Sequence, residues 1–229
     1  MATNLHLMLQ KLKIILIVSL SLNLAGVFFG FKRLYYANYL YFNPPVGTAQ
    51  QWDSYIKSKT DTGRIVFFST SITNSFPLTE AFNNPKVQNF GYAGLKSDDL
   101  LKRLPIIVNK KPSKIFIETG INDIRRKLGI DGAFKNFVKM IELIQLKSPK
   151  TIIYAQSILP TDSDNYNIQI RFYNEKLLRY THLKGVNYID LYPHFLRANQ
   201  LDKSLTRDGI HLNETGYYLW RTLIENNVN

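Results

Sequence analysis

Four short blocks of this chain carry residue types that can do chemistry together. They are the hydroxyl cluster Ser69-Thr70-Ser71-Ile72-Thr73, the isolated Gly91, the block Gly120-Ile121-Asn122-Asp123, and the block Asp208-Gly209-Ile210-His211. Acyl transfer through a serine needs a hydroxyl nucleophile, a base to take its proton, a group that orients the base, and donors for the oxyanion that develops. Ser71 can be the nucleophile, His211 the base, and Asp208 the acid that orients it within the same turn. The main-chain N–H groups of Ser71 and Gly91 and the side-chain amide of Asn122 can be the oxyanion donors. Glycine at position 91 lets a main-chain N–H approach a substrate with no side chain in the way. Each block alone has a plainer reading. Ser71 or Thr73 can cap a helix, Asn122-Asp123 can form an Asx turn, and Asp208 with His211 can be a charge pair at a helix start. His6, His182 and His194 have no acid and nucleophile in pattern and read as structural or surface residues.

Blocks this far apart meet only if the fold carries them to one place. Ile65–Phe68 is an unbroken apolar run, β-branched and aromatic, that gives way abruptly to small hydroxyl residues. Such a run reads as a strand buried on both faces that stops at a turn. Val87–Phe90, Ile115–Ile117, Thr151–Ala155 and Val186–Ile189 are four further strand candidates. Between them lie helical patterns: Ser97–Leu104, Asp131–Leu146 with Phe134, Phe137, Val138, Ile141 and Ile144 on one face, Asn165–Tyr180, and finally Asn213–Asn226. Strands alternating with helices predict a parallel sheet covered on both faces. The carboxyl ends of such strands share one edge, where ligands of open α/β sheets sit. Three of the four blocks follow predicted strands directly.

Ahead of this domain, Lys11 and Lys13 precede a run from Ile14 to Phe31 that carries no charge, and Lys32 and Arg33 close it. The run is long enough to span a bilayer core, which takes about 20 apolar residues with a range of roughly 17 to 25. Tyr35, Tyr36, Tyr39 and Tyr41 follow, a residue type that favours the membrane–water interface. The rival is a cleaved signal peptide, but the run ends Val27-Phe28-Phe29-Gly30, a poor cleavage site. The expected organisation is a signal anchor over 1–33, a juxtamembrane linker and short helix over 34–62, and the α/β domain over 63–229. The chain has no cysteine, which excludes disulfides, thiolate chemistry and cysteine-based metal sites. Its net charge of +12 favours an anionic surface or polymer as neighbour, with a plain solvated surface as the alternative. No nucleic-acid motif is present and the basic residues are scattered, so nucleic acid is not an expected partner.

Taken together and in order, the four blocks resemble the SGNH hydrolases, also called GDSL-type esterases and lipases. That family carries a serine in a Gly-Asp-Ser block after the first strand, an isolated glycine, a Gly-x-Asn-Asp block and a terminal Asp-x-x-His block. The resemblance runs from Arg64 to about Ile224. It implies a flavodoxin-like three-layer α/β/α sandwich with a five-stranded parallel sheet, here preceded by one transmembrane helix. It further implies hydrolysis of carboxylic esters, often a short acyl group on a carbohydrate, with no metal and no cofactor. The expected partners are then an ester substrate, such as an acylated carbohydrate or lipid, and the membrane through the N-terminal helix. The expected location is single-pass membrane with the domain outside the cytoplasm. One departure is plain: Ser69-Thr70 stands where the family has Gly-Asp. An O-acyltransferase using the same serine, and a silent binding module on the same fold, are the two alternative readings.

Overall fold

The computed structural model describes Ser19, residues 62–126 and residues 128–229. The anchor expected over 1–33 and the linker expected over 34–62, apart from Ser19 and residue 62, lie outside the described residues. Among the described residues no helix is long and apolar enough to cross a membrane.

Strand β1, Ile65–Ser69, is buried at all its positions. Successive side chains of a strand point to opposite faces. Ile65 and Phe67 therefore enter one core, and Val66 and Phe68 the other. This two-sided burial puts β1 in the middle of the sheet. Its neighbours are β2 (Val87–Gly91) and β3 (Lys114–Ile117), with β4 (Ile152–Gln156) and β5 (Asn187–Ile189) beyond β3. The order is β2-β1-β3-β4-β5 and every pairing is parallel. The five predicted strands each match within a residue or two.

Helices follow the first three strands. Helices α1 (Ser71–Asn74) and α2 (Leu78–Ala81) come after β1, α3 (Ser97–Asn109) after β2, and α4 (Ile121–Arg125) and α5 (Gly129–Lys147) after β3. Helices α6 (Asp164–Lys184) and α7 (Glu214–Val228) complete the set. On one face Leu104, Ile107, Phe137, Ile141 and Ile170 pack against Val66, Phe68, Ile115 and Ile117. On the other, Tyr217, Trp220 and Ile224 of α7 cover Ile65, Phe67 and Phe116. There the rings of Phe67 and Phe116 stack at 4.4 Å, and those of Phe116 and Tyr154 at 4.6 Å. Full burial of a phenylalanine stabilises by roughly 1.5–3 kcal/mol, so this ladder clamps β1 to β3 and β4.

Helix α6 runs four residues past the expected end, to Lys184, and two other local features also differ from the expectation. Helix α3 runs past Pro105 to Asn109 instead of ending at Leu104. Proline restricts the residue before it, which favours a stop, but Ile107 and Val108 are fully buried on the far side and hold the helix on course. A small antiparallel pair, β6 (Leu196–Arg197) with β7 (Gln200–Leu201), was also not expected. Ala198 and Asn199 between them both take positive φ, 48° and 65°, as a two-residue hairpin turn requires. Asn199 was its one sequence signal.

Candidate active site

The sheet order sets the site. From β1 the chain turns toward β2 on one side, and later crossovers carry it to β3 on the other. Ligands of open α/β sheets bind at such a switch, outside the carboxyl ends of the strands. Ser71 leaves the sheet there after β1, and Asn122 leaves it after β3.

Ser71 is the first residue of α1, a helix of four residues with no side-chain hydrogen bond at its N-terminus. The Ser71 N–H has no hydrogen-bond partner among the described residues. So short a helix cannot fix a side chain by itself, and the surroundings do it. Tyr217 of α7 donates its hydroxyl to the Ile72 carbonyl at 2.8 Å. The Asn89 side-chain amide donates to the carbonyls of Thr73 and Phe76, both at 2.8 Å.

His211 lies in the loop before α7, which an antiparallel bridge between Thr206 and Leu212 closes. Its Nε2 is 3.0 Å from Ser71 Oγ, and its Nδ1 is 2.7 Å from Asp208 Oδ2. A carboxylate can only accept, so the ring proton sits on Nδ1 and Nε2 accepts from the serine hydroxyl. Asp208 Oδ1 accepts the main-chain N–H groups of His211 at 2.7 Å and Ile210 at 3.1 Å. Desolvation works to raise the Asp208 carboxyl, but these N–H donors and the imidazole outweigh it and hold the group at about 2. Asp208 is therefore ionised across the physiological range. The predicted serine, histidine and acid stand in one hydrogen-bonded line.

The predicted oxyanion donors fare differently. Asn122 is buried and donates one amide N–H to the Leu95 carbonyl at 2.9 Å. A side-chain amide has two N–H donors, so one is left. Gly91 is not free to donate: its N–H already goes to Asn89 Oδ1 at 2.9 Å. Its missing side chain serves packing instead. A Cβ at Gly91 would lie 2.2 Å from the Asn74 main-chain nitrogen, so glycine is what lets α1 sit against β2. Gly94, three residues on, differs in this respect. It takes φ 76° in the loop after β2, its N–H has no partner among the described residues, and the next residue, Leu95, is the one Asn122 holds. The signal was in the sequence: an asparagine two residues before Gly91 is the spacing at which an Asx side chain takes a main-chain N–H.

Asp123, beside Asn122, is structural. Its carboxylate accepts the Ser97 N–H at 3.0 Å and the Ser97 hydroxyl at 2.6 Å, which ties α4 to the start of α3. Burial raises its carboxyl, against the pull of the Ser97 donors. His182 and His194 lie in α6 and in the short helical turn Tyr192–Phe195, apart from the line.

The family model described as GDSL-like lipase/acylhydrolase matches residues 74–219, more than half of the chain. The chain belongs to that family. The sequence resemblance to SGNH hydrolases stands. The matched residues begin just past Ser71, so the Ser-Thr-Ser block lies outside the match. Solved structures with this fold include a candidate acylhydrolase from Bacteroides fragilis, 26% identical with a TM-score of 0.69 over 79% of this chain and 93% of that one. A GDSL-like lipase from Bacteroides thetaiotaomicron is 22% identical, with a TM-score of 0.67 over 79% and 97% of the two chains. A lipase/acylhydrolase from Enterococcus faecalis is 23% identical, with a TM-score of 0.61 over 72% and 94%. Three curated relatives, N-acylneuraminate cytidylyltransferases of Streptococcus agalactiae, are 24% identical over 130 residues, which is 55% of this chain. The chain spans 30% of the length of these relatives.

Proposed function

We propose that this GDSL-like acylhydrolase is a serine esterase that removes short acyl groups, such as acetyl, through Ser71, His211 and Asp208. The observation that carries the reading is the line of two hydrogen bonds, 3.0 Å from Ser71 Oγ to His211 Nε2 and 2.7 Å from His211 Nδ1 to Asp208 Oδ2. As Ser71 Oγ bonds to the ester carbonyl carbon, its proton passes to His211 Nε2, and ionised Asp208 stabilises the imidazolium. The negative charge moves onto the carbonyl oxygen, where the Ser71 N–H, the free N–H of Asn122 and the Gly94 N–H receive it. The ester C–O bond then breaks, and the leaving alcohol takes the proton from Nε2. Water repeats the sequence on the acyl-serine: it gives its proton to Nε2, the acid departs, and Ser71 recovers its hydrogen.

The substrate we propose is an acylated carbohydrate of the cell envelope, met by a membrane-held enzyme whose domain lies outside the cytoplasm. Three features support this. The uncharged run Ile14–Phe31 has the length of a membrane span, the chain carries a charge of +12, and the partial relatives are named for N-acylneuraminate, which bears on the carbohydrate and not on the ester, because that acyl group is on nitrogen. The transfer of a cytidylyl group is not carried over with that name. The test is covalent labelling by a fluorophosphonate, which reacts with activated serine, together with a screen of esters from acetyl to long chain. Labelling at Ser71 and preference for short acyl groups are expected. Folded protein that neither labels nor cleaves any ester would sink the reading. Carbonate washing of membranes tests the anchor: full-length protein stays bound with its N-terminus intact, whereas a soluble form starting near Gly30 would mark a cleaved signal.

A further inference from the structure

The two residues that depart from the family block face inward. Ser69 and Thr70 are both fully buried. Ser69 Oγ donates to Glu118 Oε2 at 2.8 Å, and Thr70 Oγ1 donates to the same oxygen at 3.1 Å. Glu118 follows β3 directly, and the register that pairs Phe68 with Ile117 brings it beneath the end of β1. No step of the proposed reaction uses this carboxyl, yet the chain buries it, at the expense of desolvation, under the two residues that precede the nucleophile. Helix α1 has no side-chain cap of its own, so the entry into Ser71 must be held from below.

We propose that Glu118 is a positioning residue: by accepting hydrogen bonds from both Ser69 and Thr70 it fixes the main chain entering Ser71, and so the place of Ser71 Oγ against His211. The acid that other members carry inside the nucleophile block is here supplied by the neighbouring strand, and hydroxyls in the block reach down to meet it. Burial pushes the Glu118 carboxyl above its ordinary range, against the pull of the two hydroxyls. An acceptor oxygen is what the two donors need, and a neutral group provides one. The inference rests on the reading of Ser71 as nucleophile.

The experiment compares fluorophosphonate labelling of full-length protein with that of Glu118→Ala, Glu118→Gln and the double change Ser69→Ala with Thr70→Val. A misplacement of about 1 Å can lower a rate by about a hundredfold. The alanine variant and the double variant are expected to lose about tenfold to a hundredfold in maximal labelling rate, with the half-saturating probe concentration unchanged. Glu118→Gln recovers most of the rate. Thr70→Asp, which restores the acid within the block, slows labelling increasingly as pH rises, because two carboxylates in contact resist ionising together. Adding Glu118→Gln removes that pH dependence. Should a variant fail to fold, the single changes Ser69→Ala and Thr70→Val decide, each producing part of the loss. Wild-type labelling by folded Glu118→Ala, or faster labelling by Thr70→Asp, overturns the proposal. A crystal structure of the double variant is the readout that does not need turnover. Ser71 Oγ is expected to leave hydrogen-bonding reach of His211 Nε2, and an unmoved 3.0 Å contact counts against Glu118 even if the wild type never labels.

Discussion

Two carboxylates act on Ser71 through its neighbours, Asp208 through His211 and Glu118 through Ser69 and Thr70, and they are held in opposite ways. Asp208 is exposed and sits in a turn with its partners two and three residues along the chain. Those N–H donors and the imidazole keep it ionised down to about pH 2, although desolvation opposes them. Glu118 is buried, with partners 48 and 49 residues back along the chain, and burial raises it despite two hydroxyl donors. One group is suited to face a charge that appears during reaction, and the other to hold a main chain still. The same side-chain chemistry does two jobs because solvent and local donors differ.

Breaking the exposed side has the largest expected effect. Ser71→Ala and His211→Ala remove atoms that change bonds, and esterase activity should fall to background, a loss on the order of 10⁶-fold when such members act as a unit. Asp208→Asn keeps an acceptor for the main-chain N–H groups but removes the charge facing the imidazole. A loss of up to about 10⁴-fold in kcat is expected, with the circular dichroism spectrum unchanged. A variant with a kcat close to wild type would remove Asp208 from the reaction. Asn122→Ala takes away one oxyanion donor and should lower kcat by about 10²–10³-fold. Its bond to Leu95 makes the loop after β2 a second place to look, and a KM effect larger than the kcat effect would assign Asn122 to loop support instead.

The exposed side was also the more legible one. Asp208 and His211 act within one turn, so their spacing is visible in the chain itself. The strands could be read because burial on both faces leaves unbroken apolar runs such as Ile65–Phe68, and strand ends on one edge then brought Ser71 and Asn122 together. Glu118 gave no such signal. A single glutamate after a strand looks the same whether it meets solvent or Ser69, and only the register of β1 with β3 decides. The availability of the Gly91 N–H was hidden for a related reason. A glycine reports that room is needed, not whether its N–H is free, and the Gly91 N–H is taken by Asn89.

The two glycines sharpen that point with a smaller effect, read as stability. At Gly91 an added Cβ would stand 2.2 Å from the Asn74 main-chain nitrogen and 2.7 Å from the Thr73 carbonyl carbon, so main chain must move. Gly91→Ala should destabilise by about 1–3 kcal/mol, the usual range for overpacking, and should weaken labelling because α1 carries Ser71. At Gly94 the nearest atom is an end nitrogen of the flexible Arg126 side chain, at 3.2 Å. There the left-handed backbone is the main obstacle, at about 1–2 kcal/mol. In thermal unfolding Gly91→Ala is expected to lower Tm more than Gly94→Ala does. The reverse order would mean that β2 and α1 are not in close contact.

The smallest expected effect tests the comparison itself, through stability against pH. Asp208 is lower in the folded protein, about 2, than its ordinary 3.8. Between those values the unfolded chain holds a proton that the folded chain does not, so stability rises with pH there and is lost as pH falls through the folded value. The side chain is nearly half exposed, so solvent screens this contribution and keeps it small. Glu118 is higher in the folded protein than its ordinary 4.5. Here the folded chain keeps the proton longer, so the contribution is greatest below the ordinary value and declines as pH rises through the folded one. Urea midpoints measured across pH for wild type, Asp208→Asn and Glu118→Gln separate the two. Asp208→Asn should flatten the acid limb below about pH 4 and leave the rest of the curve alone. Glu118→Gln should leave the acid limb and remove a decline above it. If Glu118→Gln instead flattens the acid limb, Glu118 titrates like an exposed carboxylate, and the contrast between the two sides of Ser71 is lost.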